Sequence, residues 1–297
     1  MPRGDFFPPD HWVDAYEPGK YDVAILHLDQ QCVDSDILER GKGSMYNQLN
    51  KVITDIPKIV IMHGTPYELE YMETPEFVKK FVDIIGNNYV VFNSHRAKEQ
   101  WCFGMDGELK GFNPEQGEVI WHGLDPAEWW DLPKEPRVVT MIGPAGLPTY
   151  YDRPFLSAIK EELAQRDIMH CHITVDWSAK SWDDYRNFLG RSLLYLNPAK
   201  ESPMPRSRTE AMLSGCCVLT TPWQDADKFI KHGENGFLIP RDPERVADLV
   251  EDLMLNRYKE AIAIGQKGKE TAKELFSVER YQNDWKRVIE KVTGKTI

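Results

Sequence analysis

The feature that most constrains this sequence is residues 192–221, SLLYLNPAKESPMPRSRTEAMLSGCCVLTT, which begin and end in short apolar runs typical of buried strands. Between those runs, Pro203 and Pro205 exclude a helix before Arg206, and Gly215 is a residue at which helices commonly end. The segment therefore predicts a strand, a turn, a short helix and a second strand. A helix N-terminus then lies just beyond the carboxyl end of a strand.

This position suits a phosphate-containing ligand. Ligands of open α/β sheets bind at the carboxyl ends of the strands, and the N–H groups and dipole of a helix start favour an anion. Arg206 and Arg208 add cationic forked donors there, and Ser207 is part of the same first turn. Glu210 lies one turn into the helix, where a carboxylate can accept from two neighbouring ribose hydroxyls. The alternative is an S-x-x-E capping box, in which Glu210 only closes the helix end.

The pattern R-S-x-x-E-A-M-x-x-G-C-x-V, followed by H-G-E-N-G-F-L, resembles the nucleotide-sugar site of retaining GT-B glycosyltransferases of the GT4 type. The resemblance implies two Rossmann-like domains facing across a cleft, a UDP- or GDP-sugar as donor substrate, and no metal or other cofactor. It also implies that Glu210 binds the ribose and that an acid upstream contacts the donor sugar. The family spacing places that acid at Ser202, and we assign it to Glu201, one residue earlier.

Other positions match the same family in chain order. His63, in VIMHGTP, corresponds to a strand-end histidine near the donor sugar, so His63 and Glu201 are the candidates for catalytic contacts. Pro144 replaces an arginine that relatives carry after the first strand of the second domain. We therefore expect Gly143 and Arg153 to complete the donor site. The predicted donor-binding residues are Glu210, Arg206, Ser207, Arg153, Gly143 and Arg208.

Strand and helix patterns alternate along the chain, which predicts an α/β fold with parallel sheets. The predicted strands are 22–28, 58–62, 89–92, 118–121, 137–142, 169–175, 192–196, 217–221 and 236–239. The predicted helices are 44–54, 75–86, 94–103, 153–166, 182–189, 206–215, 224–231, 242–255, 257–275 and 277–292.

A polar, proline-stiffened segment at 131–136 is the expected linker between two domains. The domains are then 1–132 on the acceptor side and 133–277 on the donor side. By analogy with the family, residues from about 278 to 297 pack back on the first domain. That first domain looks abbreviated, because the glycine-rich loop that opens typical members is not recognisable.

Several residues have a second explanation. Asp225 and Asp227 form a D-x-D, a pattern that binds Mn²⁺ or Mg²⁺ in other glycosyltransferases, but capping of a helix start explains them here. His170 and His172 would share one face of a strand, yet no further ligands are apparent, so no metal site is predicted. Ser94 and His122 are weaker candidates, since an N-cap and a turn explain them equally well.

The charge of the chain limits the classes of molecule that it is expected to bind. A net charge of −11 and a pI near 5.3 argue against nucleic acid and anionic membrane surfaces. The chain contains no apolar run of ~20 residues and no signal-peptide pattern, so we expect no integral membrane segment and a cytoplasmic location.

The sequence thus predicts a metal-independent, retaining hexosyltransferase that uses a nucleotide-sugar and an unidentified acceptor. One alternative is a sugar-nucleotide epimerase of the same shape. Another is a non-catalytic donor-binding subunit that acts with a partner chain.

Overall fold

The computed structural model describes residues 15–29, 42–66, 75–104, 107, 111–141, 152–173, 181–200 and 204–297. Its strands are β1 Ala24–Asp29, β2 Lys58–His63, β3 Tyr89–Phe92, β4 Gly117–Val119, β5 Glu135–Met141, β6 His170–Ile173, β7 Ser192–Asn197, β8 Cys217–Thr220 and β9 Phe237–Leu238. Its α-helices are α1 Lys42–Val52, α2 Pro75–Ile85, α3 His95–Phe103, α4 Arg153–Gln165, α5 Trp182–Arg191, α6 Arg206–Leu213, α7 Ala226–Phe229, α8 Pro243–Leu255, α9 Tyr258–Phe276 and α10 Val278–Thr293. The predicted α/β fold with parallel sheets is confirmed.

The chain divides into two compact units, of which the first contains the described residues up to Trp121 together with Tyr281–Ile297. Its sheet has the parallel order β1-β2-β3-β4. Successive side chains of a strand point to opposite faces, so each strand supplies two cores. Val60 and Met62 of β2 pack with the aromatic residues of α2 and α3, whereas Ile59 belongs to a cluster on the other face.

The C-terminal helix α10 covers that second face of the first sheet. Val288 is completely buried and packs with Ile59, Val91 and Ile120. Arg287 donates to Glu118 of β4, and Lys291 Nζ lies 2.8 Å from Tyr89 Oη of β3. The last helix is therefore an integral layer of the first unit, although it is the most distant part of the sequence.

The second unit spans His122–Arg280. Its sheet is parallel with the order β6-β5-β7-β8-β9, and every residue of the central strand β7 is buried. Strands buried on both faces are continuous apolar runs, which is why residues 192–196 stand out in the sequence. The core joins β7 and β8 to α4, α8 and α9.

The residues expected to form a linker are bound into this second unit. Lys134 has a side chain only 3% exposed, and its Nζ donates to the carbonyl oxygens of Gly190 at 2.7 Å and Ser214 at 2.5 Å. Asp131 accepts from Lys269 and Gln266 of α9, both at 2.9 Å. This polar segment is therefore bonded to carbonyl and charged groups of the second unit rather than to water. The boundary between the units lies upstream of it, between Trp121 and His122.

One predicted helix is much shorter than expected. Residues 224–231 were predicted as helical, but α7 contains only Ala226–Phe229. Gln224 and Asp225 have φ angles of 49° and 61°, in the left-handed region that opposes a right-handed helix.

Candidate donor-binding site

Helix α6 begins a few residues after β7, at the carboxyl edge of the second sheet. Its N-cap position is occupied by Pro205, which cannot accept from the N–H groups of the first turn. By contrast, α3, α4, α5 and α8 are each capped by an accepting side chain, from Ser94, Asp152, Ser181 and Asp242. The start of α6 therefore differs from those helices in offering its first N–H groups no side-chain cap.

The capping-box interpretation of Glu210 is wrong. Ser207 is the second residue of α6 rather than its N-cap, and among the described residues no side chain makes a capping hydrogen bond at this helix. The carboxyl group of Glu210 instead accepts from Tyr185 Oη, with an oxygen–oxygen distance of 2.6 Å to Oε2. Glu210 is only 5% exposed, so this bond satisfies a carboxyl oxygen that water reaches poorly.

Tyr185 is itself firmly placed. It is 1% exposed and lies on α5, where its ring packs at 5.5 Å from Trp182 and at 6.0 Å and 90° from Trp129. Burial and the neighbouring carboxyl group of Glu210 raise the pKa of Tyr185 well above its ordinary value. The phenol therefore keeps its proton and acts as the donor.

The two arginines of α6 have different environments. Arg206 is the first residue of the helix and its side chain is exposed, as a phosphate-binding role requires. Arg208 is completely buried and donates to the carbonyl oxygens of Trp223 at 3.1 Å and Gln224 at 2.7 Å. Its guanidinium also lies 5.0 Å above the ring of Phe229.

These contacts give Arg208 a structural function. They hold the turn in which Gln224 and Asp225 adopt left-handed backbone angles, a conformation that costs non-glycine residues free energy. The guanidinium that was predicted to bind the donor thus organises the segment after β8. Arg208 differs from the prediction because its side chain is buried, and the spacing of residues in the sequence does not reveal that burial.

His122 contacts the middle of α6. Its Nε2 lies 3.0 Å from Thr209 Oγ1, and its ring stacks on Phe276 at 5.6 Å. Burial, together with the positive charges of Arg206, Arg208 and Arg280, lowers the pKa of His122 to about 3. The imidazole is therefore neutral at physiological pH and serves as a hydrogen-bonding group rather than a cation.

Arg153 is the first residue of α4 and is exposed. The preceding Asp152 caps that helix by accepting from Phe155 N, and its own backbone N–H donates to Pro198 O at 3.2 Å. The start of α4 is thus attached to the segment that follows β7. This connection brings Arg153 to the same sheet edge as α6.

In the first unit, His63 is the last residue of β2 and pairs with His27 of the neighbouring strand β1. His63 Nε2 lies 2.8 Å from His27 Nδ1, and the two rings stack at 5.1 Å with an angle of 15°. One proton is shared between these nitrogens, so each imidazole determines the tautomer of the other.

Two predicted site residues, Glu201 and Gly143, lie outside the described residues. Ser94 is explained by its N-cap, since its Oγ accepts from Ala97 N at 3.0 Å. Within the described ranges, no group of three or more His, Cys, Asp or Glu side chains is placed to hold a metal ion. Among the helices described, none combines the length and apolar character needed to cross a membrane.

Sequence reasoning missed Tyr185 and Thr209, the two residues that hold Glu210 and His122. Tyr185 belongs to a helix that precedes β7, and no local spacing connects it to Glu210. The available signal was indirect: a tyrosine on the apolar face of a helix requires a partner for its hydroxyl group.

Comparison with known protein families gives a match that lies within the second unit. Residues 145–256 match the family described as glycosyl transferases group 1. No curated protein sequence matches the chain significantly.

Solved structures show the same fold at low sequence identity. HepE of Anabaena, in complex with UDP and glucose, is 14% identical with a TM-score of 0.65, over 91% of this chain and 78% of HepE. Sucrose-phosphate synthase of Thermosynechococcus elongatus is 13% identical with a TM-score of 0.67, over 93% of this chain and 75% of the synthase. The chain therefore shares the GT-B fold of these solved structures, and its residues 145–256 match the group 1 glycosyl transferases.

Proposed function

We propose that the chain transfers a hexose from a UDP-linked sugar to an acceptor, with retention of configuration and without a metal ion. The observation that carries the proposal is Glu210, a buried carboxyl group in an eight-residue helix whose start is capped by no side chain of the described residues. The uridine nucleotide is favoured over guanosine because HepE was solved with UDP and with UDP-glucose. TarM of S. aureus was likewise solved with UDP.

Breaking the glycosidic bond leaves negative charge on the diphosphate, and this charge must be offset where it develops. In our proposal the first-turn N–H groups of α6, its dipole and the guanidinium of Arg206 provide that compensation. Arg153 adds a second cation at the same sheet edge. Arg208 acts indirectly, by holding the segment after β8 in place.

Glu210 accepts from the ribose hydroxyls in this proposal, and Ser207 contributes through its position in the first turn of α6. His63 and Glu201 remain the candidates for orienting the donor sugar. The leaving diphosphate assists attack of the acceptor on the same face of the sugar, so no separate protein nucleophile is required. This step forms the bond between acceptor oxygen and anomeric carbon as the bond to the diphosphate breaks, and the acceptor proton passes to the diphosphate.

Titration calorimetry of the full chain with UDP, GDP and UDP-glucose, each with and without EDTA, tests the proposal. We expect UDP to bind more tightly than GDP, with dissociation constants that EDTA leaves unchanged. Release of UDP from UDP-glucose, followed over hours, then separates an enzyme from a donor-binding subunit. Absence of binding by either nucleotide, or loss of binding in EDTA, would contradict the proposed function.

A further inference from the structure

The carboxyl group of Glu210 has only a small exposed surface, and one of its oxygens is held by Tyr185. A carboxyl group with Oε2 fixed in a 2.6 Å hydrogen bond cannot rotate freely about its last carbon–carbon bond. The direction of Oε1 is therefore set by the position of the tyrosine. Any ligand that bonds to Oε1 meets a group already oriented for it.

The tyrosine can impose that direction because several contacts fix its own position. Its ring packs against Trp129 and Trp182, and the start of α5 is closed by a capping box between Ser181 and Asp184. Met141 Sδ lies 3.4 Å from Tyr185 Oη, but a hydroxyl has a single proton, and the closer carboxyl oxygen takes it. The pair joins α5 to α6 through one buried bond.

We propose that Tyr185 is a positioning residue that orients Glu210 toward the ribose hydroxyls of the donor, and thereby gives the site its preference for ribonucleotides over deoxyribonucleotides. The proposal rests on the proposed function, since it requires a nucleotide on α6. It goes beyond the proposed function by naming the residue through which Glu210 distinguishes ribonucleotides from deoxyribonucleotides.

The competing explanation is that the bond only satisfies a buried carboxyl group. Loss of the phenol hydroxyl would then lower stability and leave the preference for ribose unchanged. The two explanations predict different ratios between the affinity for the ribonucleotide and the affinity for a deoxyribonucleotide. A general loss of stability does not change this ratio.

The test measures dissociation constants of the full chain for UDP, 2′-deoxy-UDP and 3′-deoxy-UDP by titration calorimetry. Wild-type protein is expected to bind UDP about tenfold more tightly than the weaker deoxy analogue, the effect of one charge-assisted hydrogen bond. In Tyr185→Phe this ratio should fall to about threefold or less, because UDP weakens while the deoxy analogue does not. Tyr195→Phe is the matched control, since Tyr195 is also buried and its Oη lies 3.4 Å from Met141 O.

Tyr185→Phe removes the tyrosine donor of the buried Glu210 carboxyl group. A second variant therefore separates a loss of stability from a loss of ribose preference. The double variant Tyr185→Phe/Glu210→Gln should show the same ratio as Glu210→Gln alone, because Tyr185 acts only through Glu210. A wild-type ratio in Tyr185→Phe, or a further loss in the double variant, overturns the inference and leaves the proposed function intact. Wild-type protein that does not bind UDP at all overturns the proposed function itself.

Discussion

At the scale of single residues, the clearest distinction is between Arg206 and Arg208, which are two positions apart and face different surroundings. Arg206 is exposed at the helix start, whereas Arg208 is buried against the carbonyl oxygens of Trp223 and Gln224. A surface cation contributes to binding of an anion, while a buried one with hydrogen-bond partners contributes mainly to folding.

Substitutions of Arg206 and Arg208 should therefore have opposite effects, one on UDP binding and the other on stability. Arg208→Met is expected to lower the free energy of unfolding by about 2–4 kcal/mol, because it removes the hydrogen bonds of a buried guanidinium to the carbonyl oxygens of Trp223 and Gln224. Arg206→Met should change stability by less than about 0.5 kcal/mol and raise the dissociation constant for UDP about tenfold. Urea denaturation and titration calorimetry on both variants provide the measurement. Equal losses of stability in the two variants would refute the distinction.

A half-buried histidine gives a prediction about pH. His170 Nε2 lies 2.8 Å from Thr140 Oγ1, and the Thr140 hydroxyl donates to Leu196 O. Burial, with smaller effects of Lys160 and His172, lowers the pKa of His170 to about 3. The folded protein keeps this imidazole neutral, while the unfolded chain binds a proton below its ordinary pKa of 6.5. Its stabilising contribution is complete above about pH 6.5 and is lost as the pH falls toward 3.

His170→Gln removes this titration, so its stability should depend less on pH than that of the wild type. The gap in unfolding free energy between them should shrink by roughly 1–2 kcal/mol between pH 6.5 and pH 5, at about 1.4 kcal/mol per pH unit. His172→Gln, at an exposed position of the same strand, is the control and should follow the wild type. A constant gap across this range would show that His170 does not carry the effect.

At the scale of elements, the position of α6 depends on how closely α9 approaches it. A Cβ built on Gly265 of α9 would lie 2.4 Å from Gly215 O and 3.0 Å from Cys216 C. Only a glycine permits this approach of a helix to the connection between α6 and β8. Gly215 itself has a φ of 73°, which suits its position just after the end of α6.

Gly265→Ala tests this packing, because helix propensity and close contact predict opposite results. Alanine would stabilise a helix interior by about 1 kcal/mol, but the contact with Gly215 should make the variant less stable by about 1–3 kcal/mol. Ala263→Gly, at an exposed position of the same helix, measures the propensity alone and should cost about 1 kcal/mol. Chemical denaturation of both variants shows whether helix propensity or close contact dominates at residue 265. A stabilised Gly265→Ala would contradict the close contact between α9 and the connection from α6 to β8.

Elements were the part of the structure best predicted from sequence, for a physical reason. Strands such as β7 are continuous apolar runs, and proline and glycine mark the ends of helices such as α6, so local chemistry is sufficient there. The pairing of Tyr185 with Glu210 and the burial of Arg208 depend on contacts between elements, which spacing along the chain does not encode. The length of α7 was overestimated because the left-handed turn before it involves Gln224 and Asp225 rather than glycine.

At the scale of the whole molecule, the chain consists of two units, and the first is completed by the last helix. Val288 is fully buried in the cluster that joins α10 to the first sheet. The boundary upstream of residues 131–136 could not be read from composition, because prolines and charges are common both in linkers and in buried polar segments such as Asp131 and Lys134.

Val288→Ala should therefore destabilise the first unit by about 2 kcal/mol without changing the affinity of the second unit for UDP. Lys286→Ala, at an exposed position of the same helix, should leave both properties unchanged. Scanning calorimetry with and without UDP measures the thermal transitions and the shift that the nucleotide produces. A tenfold loss of UDP affinity in Val288→Ala would show that the donor site depends on the first unit.

The most direct test of the account is the affinity of Glu210→Gln for UDP, compared with that of Glu244→Gln. Both glutamates lie on helices of the second unit, but Glu244 is exposed and Glu210 is buried beside Tyr185. We predict that Glu210→Gln raises the dissociation constant for UDP about tenfold, equivalent to ~1.4 kcal/mol, with a melting temperature within a few degrees of the wild type. Glu244→Gln should bind UDP normally. Unchanged UDP affinity in Glu210→Gln, with or without a loss of stability, would show that this carboxyl group does not bind the nucleotide.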